Sequence, residues 1–432
     1  MKFFAQKPSG KYKRFGALSA LFLSVTASLT LFAGGVSAAS LNSFSSVLQN
    51  TPIFSSEPAL EKVSVKINGV SPSFAYAPFI LGDYTLIPLR AVMENLGCKV
   101  EWVEKTQSIL ITSAGKNITL VIDSDEMTVN GVKKKIPAKA ILMGEVTYVP
   151  LRAVSESLDA TVGWDEKTQT AGIYSREKTH SLTLGICTVT IGQTYDSFVA
   201  LYGLPTYSVS AENGLLWHVY ANPNAFLAIA SDGGIICAYY TNTPGFSTSE
   251  GLQYGAAAPA DGRQYEYVHT EHVNLHKYYD TIEKQLCAVY AAADGYYNLH
   301  DINTALAGGA RMGLDILNAF RAANHLPALT WDDAAAACSL DHAAYMADIG
   351  ELTHTGASGE SAITRYQMYN PGFKWQAWGE NICAGAKNIF TCMNGWRNSR
   401  QHRAIMLSDK KYAGIGSISR TARITTARLC CY

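Results

Sequence analysis

One unit is written twice in this chain, 62 positions apart, and no other feature narrows the fold as much. Asn68-Gly69-Val70 returns as Asn130-Gly131-Val132, and IPLRAVMENLG at 87–97 returns as VPLRAVSESLD at 149–159. Trp102 returns as Trp164, and EKTQ at 104–107 as EKTQ at 166–169. Coincidences of this length at one offset mark a duplicated module across residues 63–174. Each copy reads as a strand, an Asn-Gly turn, a second strand, a short helix and a hairpin. Pro88 and Pro150 fit the first helical turn, where no backbone donor is lost. The first hairpin runs from Val100–Trp102 through a turn at Glu104–Gln107 to Ile109–Ile111. Arg90 and Arg152 stand at the helix start in both copies. Identical placement suits a local role, bonding nearby carbonyls to fix the helix, better than a carbohydrate or wall-polymer contact. Cys98 stands where the second copy has Ala160, so the fold needs something small and apolar there, and a buried free thiol is expected.

The amino terminus sets the compartment. Lys2, Lys7, Lys11, Lys13 and Arg14 precede an apolar run from Ala17 to Phe32, and Val36-Ser37-Ala38 has the small-residue spacing of a cleavage site. Residues 1–38 therefore read as a signal peptide rather than a retained anchor, and no Cys at the cleavage point supports a lipid anchor. The chain is balanced at 35 basic and 35 acidic residues. Losing five basic residues with the signal leaves a mildly acidic ectodomain, which argues against a nucleic-acid partner. No second apolar run is long enough to span a bilayer, so no membrane span is expected after cleavage.

More than 390 mature residues call for two or three domains. A Ser-rich stretch within 39–60 reads as a linker, followed by the repeat module at 61–176. Residues 181–293 read as a β-rich domain: a helix capped near Thr194 and ending before Gly203, then strands at 215–222, 225–230 and 235–240. His269, His272 and His276 invite a metal reading, but the surrounding residues read as two strands joined around Asp280–Lys284, which would turn His269 away from the other two.

From Ala310 the pattern becomes helical: one helix ends near His325, and a second follows a cap at Thr330 or Asp332, with Ala337, Leu340, Ala344 and Ala347 at helical spacing. Then come THTG at 353–356, WGENI at 378–382 and WRNSRQHR at 396–403, offering His354, Glu380 and His402. Two imidazoles and a carboxylate brought together by folding are enough to hold a divalent metal or move a proton. His342 reads as a helix-surface residue and Glu360, after Gly359, as part of an exposed turn. No G-x-S-x-G elbow accompanies Ser399 and His402, so a serine hydrolase is not expected. The nine Cys divide as one, three and five across the domains; Cys383 and Cys392 read as a disulfide pair in an exported protein. Adjacent Cys430 and Cys431 are not expected to pair with each other.

These strings carry three resemblances. The duplicated unit, through PLRA and W-x-x-x-T-Q, resembles the copper amine oxidase-like N-terminal domain, a stalk module; the catalytic domain and cofactor string of those oxidases do not occur here, so no copper or quinone chemistry is implied. IGQT, ALYGLP, WHVY and AYYTNTPGF resemble the region that precedes bacterial CAP domains. Residues 310–432, with Asn318 and Arg321 as N-x-x-R before the H-T-G turn, resemble the CAP (SCP-like) superfamily. The implied fold class is α+β multidomain: a duplicated small α+β stalk module, a β-rich middle domain and a C-terminal α-β-α sandwich. The implied cleft takes His354, Glu380 and His402 as metal ligands, zinc being the expected ion, and as catalytic candidates. Where some members place a second Glu, Ser399 stands here, followed by Arg400-Gln401 in place of Pro-Gly. Losing that carboxylate favours a secreted or cell-wall-associated binding protein, with a cell-wall polymer or extracellular ligand as partner, over a metal-assisted hydrolase of wall or peptide substrates.

Overall fold

The computed structural model describes residues 62–176, 180–211, 214–270, 272–296, 302–374, 378–421 and 423–431. The expected signal peptide and linker lie outside them, as do the side chains of Cys430 and Cys431.

The first module runs β1 (Ser64–Ile67), β2 (Phe79–Leu81), β3 (Tyr84–Pro88), α1 (Leu89–Asn95), β4 (Lys99–Val103), β5 (Ser108–Ser113), β6 (Lys116–Val121), β7 (Glu126–Val129), β8 (Val132–Lys135), β9 (Ile141–Met143), β10 (Val146–Pro150), α2 (Leu151–Ser157), β11 (Thr161–Asp165) and β12 (Thr170–Tyr174). Both Asn-Gly pairs turn through left-handed conformations, with φ of 49° and 86° at Asn68 and Gly69 and 48° and 81° at Asn130 and Gly131. The prolines sit one residue earlier than expected. Each is the helix N-cap, because Pro88 still pairs with Tyr148 and Pro150 with Leu86 in the sheet. The arginines bond nearby carbonyls, as their matched positions imply. Arg90 Nη1 donates to Val100 O at 2.8 Å and Arg152 Nη1 to Val162 O at 2.9 Å. Ile87 lies opposite Val149, its counterpart in the repeat. The copies also share strands: β1 runs parallel to β12, while β7 and β8 extend the sheet of β4, β5 and β6.

The middle segment runs β13 (Ser181–Leu184), β14 (Cys187–Thr190), α3 (Tyr195–Tyr202), β15 (Tyr207–Ser210), β16 (Leu216–Asn222), β17 (Ala225–Asp232), β18 (Ile235–Thr241), β19 (Phe246–Thr248), β20 (Tyr265–His269), β21 (Val273–Asp280) and β22 (Gln285–Ala293). Seven of these strands form one antiparallel sheet in the order β15-β16-β17-β18-β22-β21-β20. The turn Gly233-Gly234 meets the first module backbone to backbone: Gly172 N donates to Gly233 O at 2.9 Å, and a Cβ on Gly163 would lie 2.5 Å from Gly234. Lys66 and Asp232 pair beside this contact at 2.8 Å.

The last segment runs α4 (Ile302–Ala323), β23 (Thr330–Trp331), α5 (Asp333–Ile349), α6 (Ala362–Tyr369), β24 (Gly379–Cys383), α7 (Ile389–Asn398), α8 (Arg400–Met406), β25 (Tyr412–Thr421) and β26 (Arg423–Cys431). Helix α4 begins ahead of Ala310, and Asp332 rather than Thr330 caps α5, accepting from Ala335 N at 2.5 Å. The sheet order is β23-β25-β26-β24. Helix α5 lies so close to β25 that a Cβ on Gly414 or Gly416 would fall 2.1 Å from its backbone, and Gly313 of α4 meets Ile415 from the alternate side of the strand. The buried stripe of α5 is therefore Ala335, Cys338, Ser339, His342, Ala343 and Met346, with Ala337 and Leu340 exposed, one step round from the expected face. Small residues face the glycines because only they allow backbone contact.

No core boundary separates the middle segment from the last. One cluster of buried side chains runs from Tyr174 through Trp217 and Tyr240 to Phe390 and Ile415, with Tyr240 stacked on Phe390 at 4.0 Å between centroids. Among the described residues no helix is long and apolar enough to cross a membrane.

Candidate functional site

His354, Glu380 and His402 come from three elements: the turn after α5, strand β24 and helix α8. Glu380 is buried, with its side chain 2 % exposed. Its Oε1 accepts from His354 Nδ1 at 2.6 Å and its Oε2 from Arg365 Nη2 at 3.0 Å. His354 is largely exposed, so this bond orients an otherwise free ring. His402 is half-buried on α8, and Asn381 Nδ2, one residue beyond Glu380, donates to His402 O at 3.0 Å. Burial, and then the nearby charge of His354, hold the His402 imidazole below its ordinary value. Both effects favour the neutral ring.

The THTG turn is gripped from several sides. His342 is buried rather than on the helix surface, because α5 presses this face against the turn, and its Nε2 donates to Thr353 O at 2.8 Å. Arg365 reaches from α6 to donate to His354 O and Glu360 O, both at 3.0 Å. Glu360 is half-buried, and its carboxylate accepts from Ser358 N at 2.8 Å. Backbone N–H groups lower its pKa, so it is a structural anion rather than a stand-in acid. Gly356 has no room for a side chain, since a Cβ would strike the Glu360 carboxylate. Arg365 escaped the sequence reading because the short, mixed sequence of α6 marks no clear buried face and nothing distinguishes this cation from a surface one.

Next to His402, Arg403 is buried and faces away from the cleft. It donates to Asp280 Oδ2 at 2.6 Å and Glu283 Oε1 at 3.0 Å, at the turn between β21 and β22. Asn398 accepts from Thr281 N at 2.6 Å on the same turn. The middle segment thus sets where α8, and with it His402, stands. Ser399 joins α7 to α8 and brings no carboxylate to the cleft. Cys383 on β24 and Cys392 on α7 bring their sulfurs to 2.6 Å, longer than the roughly 2.05 Å of a disulfide, and both stand as thiols in this structure, so the expected pair is brought together without a disulfide bond. Cys98, Cys187, Cys237 and Cys287 are buried thiols. The three middle-segment histidines do not converge: His269 bonds Asp294 at 3.1 Å from β20, while His276 is buried among the rings of Tyr267, Tyr278 and Tyr290.

Two family profiles match this chain: the copper amine oxidase N-terminal domain over residues 66–173, and the cysteine-rich secretory protein family over residues 314–426. A curated relative described as a protease inhibitor from Brevibacillus choshinensis is 34% identical over 108 residues, 25% of this chain. That match spans 32% of the relative's length. Among solved structures, an extracellular protein containing a SCP domain from Bacillus anthracis str. Ames aligns with a TM-score of 0.46 and 17% identity, covering 56% of this chain and 93% of that one. A cysteine-rich secretory protein from Staphylococcus aureus subsp. aureus Mu50 aligns with a TM-score of 0.41 and 14% identity, covering 56% and 92%. The chain is thus similar to the copper amine oxidase N-terminal domain over residues 66–173 and to the cysteine-rich secretory protein family over residues 314–426.

Proposed function

We propose that this is an exported, surface-associated binding protein. Its C-terminal cleft takes a small or peptidic ligand, with His354 and His402 holding a divalent ion such as zinc, and its first module attaches the chain to a cell-wall polymer. The observation that carries the binding reading is the state of Glu380. Both of its oxygens are engaged, one by Arg365 and one by His354. A buried carboxylate held this way orients an imidazole and is poorly placed to exchange a proton with substrate. Among the described residues no group of three or more His, Cys, Asp or Glu is arranged to hold a metal ion, so zinc would rest on the two imidazoles alone: Glu380 holds His354 through Nδ1 and leaves Nε2 open to a ligand, while burial favours the neutral ring of His402. Glu380 then serves as the outer partner that orients a ligating histidine. Bound zinc would supply Lewis acidity, the basis of the competing hydrolase reading. That reading lacks a free carboxylate, since Ser399 replaces one and Arg365 occupies the other. The name of the Brevibacillus relative adds proteases to the peptidic ligands to be tested.

The core shared by the middle and last segments makes the full mature chain the material for the test. Calorimetric titration with zinc should show one site that disappears in the His354→Ala/His402→Ala variant. Unchanged binding in that variant removes the metal site. Turnover of peptidoglycan or a peptide library by the zinc-loaded chain, lost in the same variant, would replace binding with hydrolysis.

A further inference from the structure

A groove of about 620 Å³ opens in the first module between α1, the hairpin of β4 and β5, and the turn joining β9 to β10. Its volume falls in the range of small-ligand sites, roughly 300–1,000 Å³. Two large aromatic side chains line it while remaining open to solvent, Tyr76 at 55% and Trp102 at 37% exposure. Polar groups share the wall: Arg90, Glu94, Glu104 and Glu145. Trp102 Nε1 donates to Glu104 Oε2 at 2.6 Å, so the ring is held before any ligand arrives.

The repeat provides an internal control. Bonds from Arg90 to Val100 O and from Gln107 to Glu104 O recur in the second copy through Arg152 and Gln169, so they serve the fold. The aromatic pair does not recur. Tyr76 corresponds to Ala138, and Trp164 is half-buried against the module's core, its backbone covered by the Gly234 turn of the middle segment. Only the first copy keeps this face open with two aromatic rings.

We propose that the groove binds a neutral, N-acetylated glycan segment. This rests on the reading of the first module as the wall-attaching part and gives that part a site and a ligand class. The flat C–H faces of sugar rings pack on aromatic rings, while hydroxyl and amide groups meet planar carboxylates and a guanidinium at the edge. Three carboxylates against one arginine make the wall net negative, which turns away phosphate-bearing polymers and favours an uncharged chain with donors to offer. The preheld Trp102 lowers the ordering cost of binding.

The full mature chain is titrated with the tetramer of N-acetylglucosamine, followed by tryptophan fluorescence, beside Trp102→Ala and Tyr76→Ala variants whose circular dichroism matches the parent. The proposal expects saturable binding, weakened at least tenfold by Trp102→Ala and several-fold by Tyr76→Ala. It is overturned if the parent does not bind, if both variants bind like the parent, or if teichoic acid or a proline-rich peptide binds more tightly than the tetramer. Pelleting with isolated cell walls separates this from the attachment reading. Wall pelleting unaffected by Trp102→Ala sinks the groove and leaves attachment standing. Tetramer binding without wall pelleting sinks attachment and leaves the groove.

Discussion

Arg365 and Glu380 are both almost fully buried, and each satisfies the other. Removing one charge strands its partner in a low-dielectric site, which costs far more than the pair contributes over an apolar replacement. Arg365→Met is expected to lower unfolding free energy by about 3–5 kcal/mol, and Arg365→Met/Glu380→Leu by clearly less than the sum of the two single changes. Denaturant melts of the double-mutant cycle check this; additive effects would mean that the two residues act independently. The candidate residues His354, Glu380 and His402 were picked out from the strings THTG, GENI and NSRQHR, and the contact of His354 with Glu380 joins two of those strings in space. Arg365 and His342 were not legible, since burial of a cation or an imidazole depends on which face another element covers.

Elements with clear period and punctuation were legible too: the Asn-Gly hairpins, the Thr194 and Asp332 caps and the strands of the middle segment all stand where turn and cap chemistry puts them. The facing of α5 was not, because Ala-rich helices lack a strong apolar stripe and glycines on the opposing strand decide which side approaches. Those glycines make a directional prediction. Gly414→Ala should destabilise by about 3 kcal/mol or more, since its Cβ meets the α5 backbone, which cannot yield as a flexible side chain would. Gly395→Ala, on the exposed face of α7 with nothing within 4 Å of the new methyl, should stabilise by roughly 0.5–1 kcal/mol. Thermal melts that rank the two the other way would refute this account of how α5 docks.

Across the whole molecule, the middle sheet binds its neighbours on both sides and buries ionisable rings in doing so. His218 stacks on Tyr195 and bonds Ser208 and Ser231, each at 2.8 Å. Burial lowers His218 and His276 alike to about 4. An unfolded histidine titrates near 6.5, so below that pH the unfolded chain takes up protons that the folded chain refuses. Stability should be full above about pH 6.5 and decline as pH falls toward 4, by on the order of 3 kcal/mol for each ring. Melting temperature against pH checks this, and His218→Gln should flatten the slope in that window; an unchanged slope would exclude His218 as its source.

The repeat, the turns and the caps were determined by the sequence alone, because each rests on interactions between residues near in the chain. How both copies of the repeat meet the middle segment, which strands the copies exchange and how Arg403 anchors the helix carrying His402 were decided only by tertiary structure. Those outcomes depend on contacts between residues as far as 166 positions apart, where steric fit of glycines and pairing of buried charges choose among arrangements that local preference leaves equal.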